Sequence, residues 1–183
     1  VKGLIISELV DFIERHCALD VAEQIIFEAD LESGGAVTSV GNYPHAEVIK
    51  LVSSAAEILD QPAEDLMREF GKELFAKLRD SHTQFFEAGA EDVFSFLSRV
   101  QSHIHLEVRK LYPGSNPPNV SCVTEDGRLT VIYESHRPFA MVAFGLLEGC
   151  CEYFDGAVSV QMVTDPKQAE TKAVFIVAKA NTN

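Results

Sequence analysis

The sequence predicts an α+β fold: a helical N-terminal half, then a C-terminal half with a long central helix and a small antiparallel four-stranded sheet. Two periodicities predict it. Before Pro113 apolar residues recur at steps of three and four, as on one face of a helix; after it they alternate in short runs, as along a half-buried strand. A third observation is that no repeat, low-complexity tract or flexible linker interrupts the chain, so residues 1–183 read as one domain. Within it, a helical subdomain covers about 1–62 and a mixed subdomain about 63–183.

Residues 2–17 form the first helix, with Leu4, Ile5, Leu9, Val10, Phe12 and Ile13 apolar. Asp20 is placed to cap a second helix over 21–30, because a short side-chain oxygen there accepts from the unbonded N–H groups of the first turn. Ser33-Gly34-Gly35 breaks that helix, and 37–43 is an irregular connection. Pro44 starts a helix through Leu59, and Gln61-Pro62 divides it from another over 63–78. Proline suits a helix start, where its missing N–H has no partner to lose. Phe85-Phe86 and Gly89 fall in a linker.

The long central helix covers 91–113. Val93, Leu97, Val100, Ile104, Val108 and Leu111 form one apolar stripe, and Pro113-Gly114 stops it. Two histidines flank the stripe. At about 100° per residue, His105 shares an edge with Phe94, Gln101 and Tyr112, while His103 lies nearer Arg99, Glu107 and Lys110. His105 is therefore the inward-facing imidazole and His103 the solvated one. On the helix alone, His105 reads first as a hydrogen-bonded boundary residue and second as a metal ligand.

Beyond Pro117-Pro118, strand-like runs at 120–124 and 129–135 flank the hairpin signal Glu125-Asp126-Gly127. Pro138 opens a helix over 139–154 that is apolar on most sides, hence buried. Alternating runs at 158–163 and 172–178, separated by Thr164-Asp165-Pro166, complete the sheet.

The composition excludes several classes. With 28 acidic against 15 basic residues the net charge is −13, which argues against DNA, RNA or an anionic membrane as the main partner. No apolar run approaches the roughly 20 residues that span a bilayer. The first residues lack the basic start and small-residue cleavage site of a signal peptide. Cys17, Cys122, Cys150 and Cys151 form no C-x-x-C pair, so free thiols in a reducing cytoplasm are expected and a cysteine zinc site is not. No G-x-x-x-x-G-K-[ST] or G-x-G-x-x-G appears, so no nucleotide chemistry is expected.

The second strand carries the chemistry. Leu129, Val131, Tyr133, Ser135 and Arg137 alternate onto one face. A phenol, a hydroxyl and a guanidinium thus stand in line, three donors of which one is permanently charged and able to fork around a carboxylate. Two readings stay open on this motif: a strand end paired with a nearby Asp or Glu, or a clamp for a ligand carrying carboxylates.

An inward histidine about thirty residues before a Y-x-S-x-R strand, with a buried apolar helix directly after, resembles the haem nitric-oxide/oxygen-binding (H-NOX) family, related to the haem domain of soluble guanylate cyclase. The resemblance covers the whole chain. It rests on Lys2-Gly3, IHLEVRKLYP around His105, Pro117-Pro118, Tyr133-x-Ser135-x-Arg137 and Gly145-Leu146-Leu147-Glu148-Gly149. It implies that the fold encloses haem b, that His105 is the proximal iron ligand and His103 a bystander. It implies that Tyr133, Ser135 and Arg137 hold the propionates, and that Pro118 presses on the macrocycle. A single neutral imidazole leaves the sixth iron position open for a diatomic gas. A buried dianion needs charge-assisted donors, or its burial costs several kcal/mol.

Oxygen-binding members carry a distal tyrosine with polar supports. The matching positions here are Val142, Leu9 and Leu74, all apolar. Ile5 and Leu9, Leu74 and Leu78, Val142 and Leu146 are i, i+4 pairs, so each helix can offer two side chains to one apolar wall. The expected function is a nitric-oxide sensor, also binding carbon monoxide, that discriminates against oxygen. It signals when the His105 bond is lost and the N-terminal helices shift against the C-terminal half. As a stand-alone bacterial type it implies a partner in trans such as a histidine kinase or a cyclic-di-GMP enzyme. No catalytic residue and no zinc are expected. The alternatives are an oxygen sensor or carrier on the same fold, a haem enzyme, a module for another anionic apolar ligand, and a redox sensor through Cys150-Cys151.

Overall fold

A computed structural model describes residues 1–87, 92–154 and 157–179. Gly89 of the expected linker and Glu91 at the expected start of the central helix lie outside the described residues. The architecture is α+β, as predicted, with a four-stranded antiparallel sheet. The chain divides into two compact units, Val1–Phe70 and Gly71–Asn183.

The first unit is helical. It holds α1 (Gly3–His16), α2 (Leu19–Glu28), α3 (Ala46–Leu59) and the first turns of α4 (Ala63–Ser81). Ile6, Leu9, Phe12 and Ile13 of α1 are buried at steps of three and four. Val48, Leu51, Val52 and Ala55 do the same on α3. Lys2-Gly3 has a steric reason: a Cβ on Gly3 would lie 1.8 Å from the Thr38 carbonyl oxygen. Two expected boundaries shift. Ala18, not Asp20, caps α2; the chain is already helical at Leu19, and Asp20 sits in the first turn, where its carboxylate still faces the positive helix end. Helix α3 begins at Ala46 with His45 at its cap rather than at Pro44. The Ser33 break is tied to α3 by the buried Glu47, whose carboxylate accepts from the Ser33 N–H (3.1 Å) and hydroxyl (2.7 Å).

In the second unit α4 runs beyond Leu78 to Ser81, and Phe85-Phe86 form a short helix, α5 (Gln84–Glu87), instead of a linker. Aromatic burial orders this segment. Phe85 stacks on His82, and Phe86 packs on Phe75 and Phe96 with ring centroids 5.6 and 4.9 Å apart.

The expected single central helix is interrupted. It consists of α6 (Val93–Arg99), a π-helical turn over Val100–Ile104, and α7 (His105–Leu111). Asp92 starts α6 with a reciprocal cap: its carboxylate accepts the Ser95 N–H (2.7 Å) and the Ser95 hydroxyl accepts the Asp92 N–H (3.2 Å). The His105 N–H bonds back to the Val100 carbonyl, closing the wide turn. A π turn inserts about one residue into the repeat and rotates the rest of the helix by about 100°. This is why Leu111, assigned to the apolar stripe, is 56% exposed.

The sheet order is β1-β2-β4-β3, with β1 (Asn119–Glu125), β2 (Arg128–Glu134), β3 (Val158–Met162) and β4 (Lys172–Lys179). Asp126 (φ 49°) and Gly127 (φ 72°) make the two-residue turn between β1 and β2, where both central residues need positive φ. Leu129, Val131 and Tyr133 of β2 and Ala173, Phe175 and Val177 of β4 are buried on one face. α8 (Ala140–Phe154) packs on that face through Phe144 and Phe175, with rings 5.6 Å apart. It begins after Phe139, two residues beyond Pro138. Two glycines let α4 and α8 approach at backbone distance. A Cβ on Gly71 would lie 2.2 Å from the Val142 carbonyl oxygen, and one on Gly149 would lie 2.9 Å from Phe75 Cβ. Lys72 and Glu152 pair across the same crossing at 2.6 Å.

Candidate functional site

His105 is the first residue of α7, directly after the π turn, and is half-buried. Its Nδ1 lies 3.2 Å from Gln101 Oε1, and that oxygen also accepts the Val120 N–H at 3.1 Å, joining the π turn to the edge strand β1. Burial first, and then the Arg109 guanidinium, lower the His105 pKa to about 4, with the Pro118 carbonyl pulling the other way. The ring is neutral at pH 7, the state that can donate a lone pair to a metal. His103, expected to be solvated, lies within the π turn and is half-buried like His105, because the wide turn departs from the straight-helix spacing behind that expectation.

The neutral ring sets a pH dependence. Unfolded, His105 titrates near its ordinary 6.5; folded, it titrates near 4. The unfolded chain therefore binds more protons between those values, and stability falls as pH falls through that window, by about 3 kcal/mol at most. Denaturant titrations of the haem-free protein at pH 7 and 4.5 will show this difference, and His105→Gln will reduce it. An equal slope in both proteins would exclude His105 as its source.

Tyr133 closes β2 with only 4% of its surface exposed. Burial raises its phenol pKa, and a hydrogen bond with the Ser135 hydroxyl opposes this. The strand ends at Glu134, whose carboxylate pairs with Lys172 at 2.9 Å. Past the strand the expected alternation is carried by local bonds instead. Ser135 N–H donates to the Thr171 carbonyl (2.8 Å), and Ser135 Oγ accepts the Arg137 N–H (3.1 Å). Arg137 Nη1 donates to the Asn116 carbonyl at 2.9 Å. Among the described residues Arg137 has no carboxylate partner. A half-buried cation beside a buried phenol and a hydroxyl is a donor set suited to carboxylates from outside the chain.

Pro118, half-buried, stands directly before β1. Leu74 and Leu78 lie one turn apart on α4, as do Val142 and Leu146 on α8; Leu74 and Val142 are buried. All these residues belong to the second unit with His105. Ile5 and Leu9 belong to the first, where the buried Leu9 lines a cavity of about 170 Å³ with Phe12, Ile13, Val52 and Leu66. Three contributors escaped sequence reasoning. The link from Gln101 to Val120 and the Asn116 carbonyl are tertiary contacts with no local signal. Gly71, a lone glycine mid-helix, is the kind of position that marks close packing.

No group of three or more His, Cys, Asp or Glu side chains is arranged to hold a metal among the described residues. His105 would be a single protein ligand, with its other partners supplied by a macrocycle. Cys150 and Cys151 are buried and free; burial pushes both thiols up, Cys151 to about 12, so neither is a reactive thiolate near neutral pH. No described helix is long and apolar enough to cross a membrane.

Residues 2–162 match the Haem-NO-binding family, HNOB. The fold superposes on the Fe(II) unliganded H-NOX protein of K. algicida with TM-score 0.88, 30% identity and coverage of 100% of this chain and 98% of that one. It superposes on the S. oneidensis H-NOX protein in its Fe(II)NO state with TM-score 0.88 and 25% identity, covering 99% and 100%. For the IWP-051-bound H-NOX of Shewanella woodyi in its Fe(II)CO state the values are TM-score 0.81 and 34% identity, covering 99% and 95%. The chain belongs to the haem-NO-binding, or H-NOX, family of gas-sensing domains.

Proposed function

We propose that this domain is a haem-based nitric-oxide sensor without catalytic activity, acting in the cytoplasm on a signalling protein in trans such as a histidine kinase or a cyclic-di-GMP enzyme. The observation that carries the reading is His105: one imidazole, held neutral, with no cluster of further metal ligands among the described residues. A single protein ligand would leave room for a gas at the metal, which a gas sensor requires. When bound, haem b supplies a ferrous iron able to take nitric oxide or carbon monoxide, the ligands named for the S. oneidensis and S. woodyi proteins.

The chain's residues divide the work. His105 would donate its free ring nitrogen to the metal. Tyr133, Ser135 and Arg137 would donate to the propionates, and Pro118 would set the position of the ring. Leu74, Leu78, Val142 and Leu146 exclude water and offer no hydrogen-bond donor. That absence disfavours oxygen, whose bound form is polar, and leaves nitric oxide, which needs little such help, nearly unaffected. His105 stands at the start of α7, so loss of a bond at its ring would free that helix end, and the surface that changes would be read by the partner. The ligand transmits a signal only by binding the released state better than the resting one.

The test is the absorption spectrum of the reduced, haem-loaded protein. It should not change in air and should shift to a five-coordinate nitrosyl form with nitric oxide. A stable oxygen complex would replace this reading with an oxygen sensor. Arg137→Leu should speed haem loss by about 10–100-fold, because a charge-assisted hydrogen bond contributes about 1.5–3 kcal/mol. Unchanged haem retention in that variant would remove Arg137 from the clamp.

A further inference from the structure

We infer that Gln101 is the positioning residue for His105: its side-chain oxygen holds the ring proton on Nδ1 and ties the imidazole to the edge of the sheet. The inference rests on the reading of His105 as the iron ligand and names the residue that prepares it.

The geometry gives the direction of each bond. Gln101 Oε1 lies 3.1 Å from Val120 N and 3.2 Å from His105 Nδ1. A backbone N–H only donates, so the amide atom facing Val120 is the carbonyl oxygen and not the NH2 group. The same oxygen faces Nδ1 and can only accept there, so this bond places the ring proton on Nδ1, with the Pro118 carbonyl as a second acceptor at the ring. A neutral imidazole has one N–H, so Nε2 keeps its lone pair. The ring thus presents an unprotonated nitrogen on the side away from Gln101. A partner that accepts from the distal N–H of a metal-bound histidine also raises its basicity.

The second bond makes this a fixed support. Held by Val120, the amide oxygen cannot swing to follow the ring. Gln101 lies in the π turn one helical turn before His105, and Val120 stands opposite Tyr133 in the strand register. Movement of the imidazole is therefore felt at the β1–β2 pair that begins the Tyr133, Ser135, Arg137 row.

The experiment compares wild type, Gln101→Ala and Gln101→Glu. In the haem-free proteins, long-range ¹H–¹⁵N spectra report which ring nitrogen of His105 is protonated. Wild type and Gln101→Glu should show Nδ1–H, because a carboxylate accepts both bonds; Gln101→Ala should shift towards Nε2–H. The Val120 amide should lose protection from hydrogen exchange in Gln101→Ala and keep it in Gln101→Glu. In the ferrous haem-loaded proteins, the iron–histidine stretching frequency should fall in Gln101→Ala and rise in Gln101→Glu. Haem loss from Gln101→Ala should be roughly 10–100-fold faster.

An unmoved tautomer in folded Gln101→Ala overturns the inference. If Gln101→Ala does not fold, Gln101→Glu decides alone, and an unchanged stretching frequency overturns it. If the tautomer moves but the stretch does not, His105→Gly separates the two causes. A wild-type ferrous spectrum in that variant removes His105 as the ligand, and with it the inference. A changed spectrum keeps the ligand and overturns only the role of Gln101.

Discussion

On the reading of His105 as the iron ligand, replacing it with glycine will remove the protein's bond to iron, and the variant will signal to its partner as the nitric-oxide-bound wild type does, without the gas. The expectation comes from where the residue sits. His105 opens α7 and closes a π turn, and its ring is a neutral imidazole held between burial, Arg109 and a fixed acceptor. Haem affinity should fall by about 100-fold or more, since loss of a supporting partner alone costs 10–100-fold at a metal site. Added imidazole should restore the coordination spectrum but not the tether to α7. Partner activity measured with ferrous wild type, its nitrosyl form and His105→Gly will decide the matter. A variant that behaves as the resting protein would sink the mechanism of release. His105→Ala controls for the backbone, because glycine costs a helix about 1 kcal/mol beyond the loss of the ring.

The second large effect is expected at Val142. Val142→Tyr will raise oxygen affinity by about 10–100-fold, because a hydrogen bond to a charged or strongly polar group contributes about 1.5–3 kcal/mol. Val142 is buried on α8 where its carbonyl faces Gly71, so the larger side chain will also lower stability by about 1–3 kcal/mol through overpacking. Val142→Phe carries nearly the same bulk without the hydroxyl. Oxygen titration of the two ferrous variants therefore isolates the donor from the packing. Equal oxygen affinities would mean that Val142 does not face the gas, and that the apolar wall is not the source of discrimination.

Much of this was legible in the residues because it is local. Alternation fixed β2 and the burial of Tyr133, and the Asp126-Gly127 pair fixed the hairpin, since positive φ at both positions has few solutions. The spacing of His105 and Gln101 put them on one helical edge. Where sequence reasoning erred, a tertiary term had overridden a local one. The pattern over 91–113 is that of a continuous helix; the π turn that interrupts it is stabilised by a bond from Gln101 to another element, which no periodicity contains. Phe85-Phe86 reads as a linker until Phe75 and Phe96 are placed beside it.

The sequence by itself determined the family and the α+β class, and it singled out His105 and the Tyr133, Ser135, Arg137 set as candidates, because each depends on residue type at short, regular spacing. Only the tertiary structure decided that Arg137 meets a backbone carbonyl and no described carboxylate, that α4 and α8 touch at Gly71 and Val142, and that His105 stays neutral. Those properties depend on burial and on which partners come within about 3 Å, and both arise from contacts between residues distant in the chain.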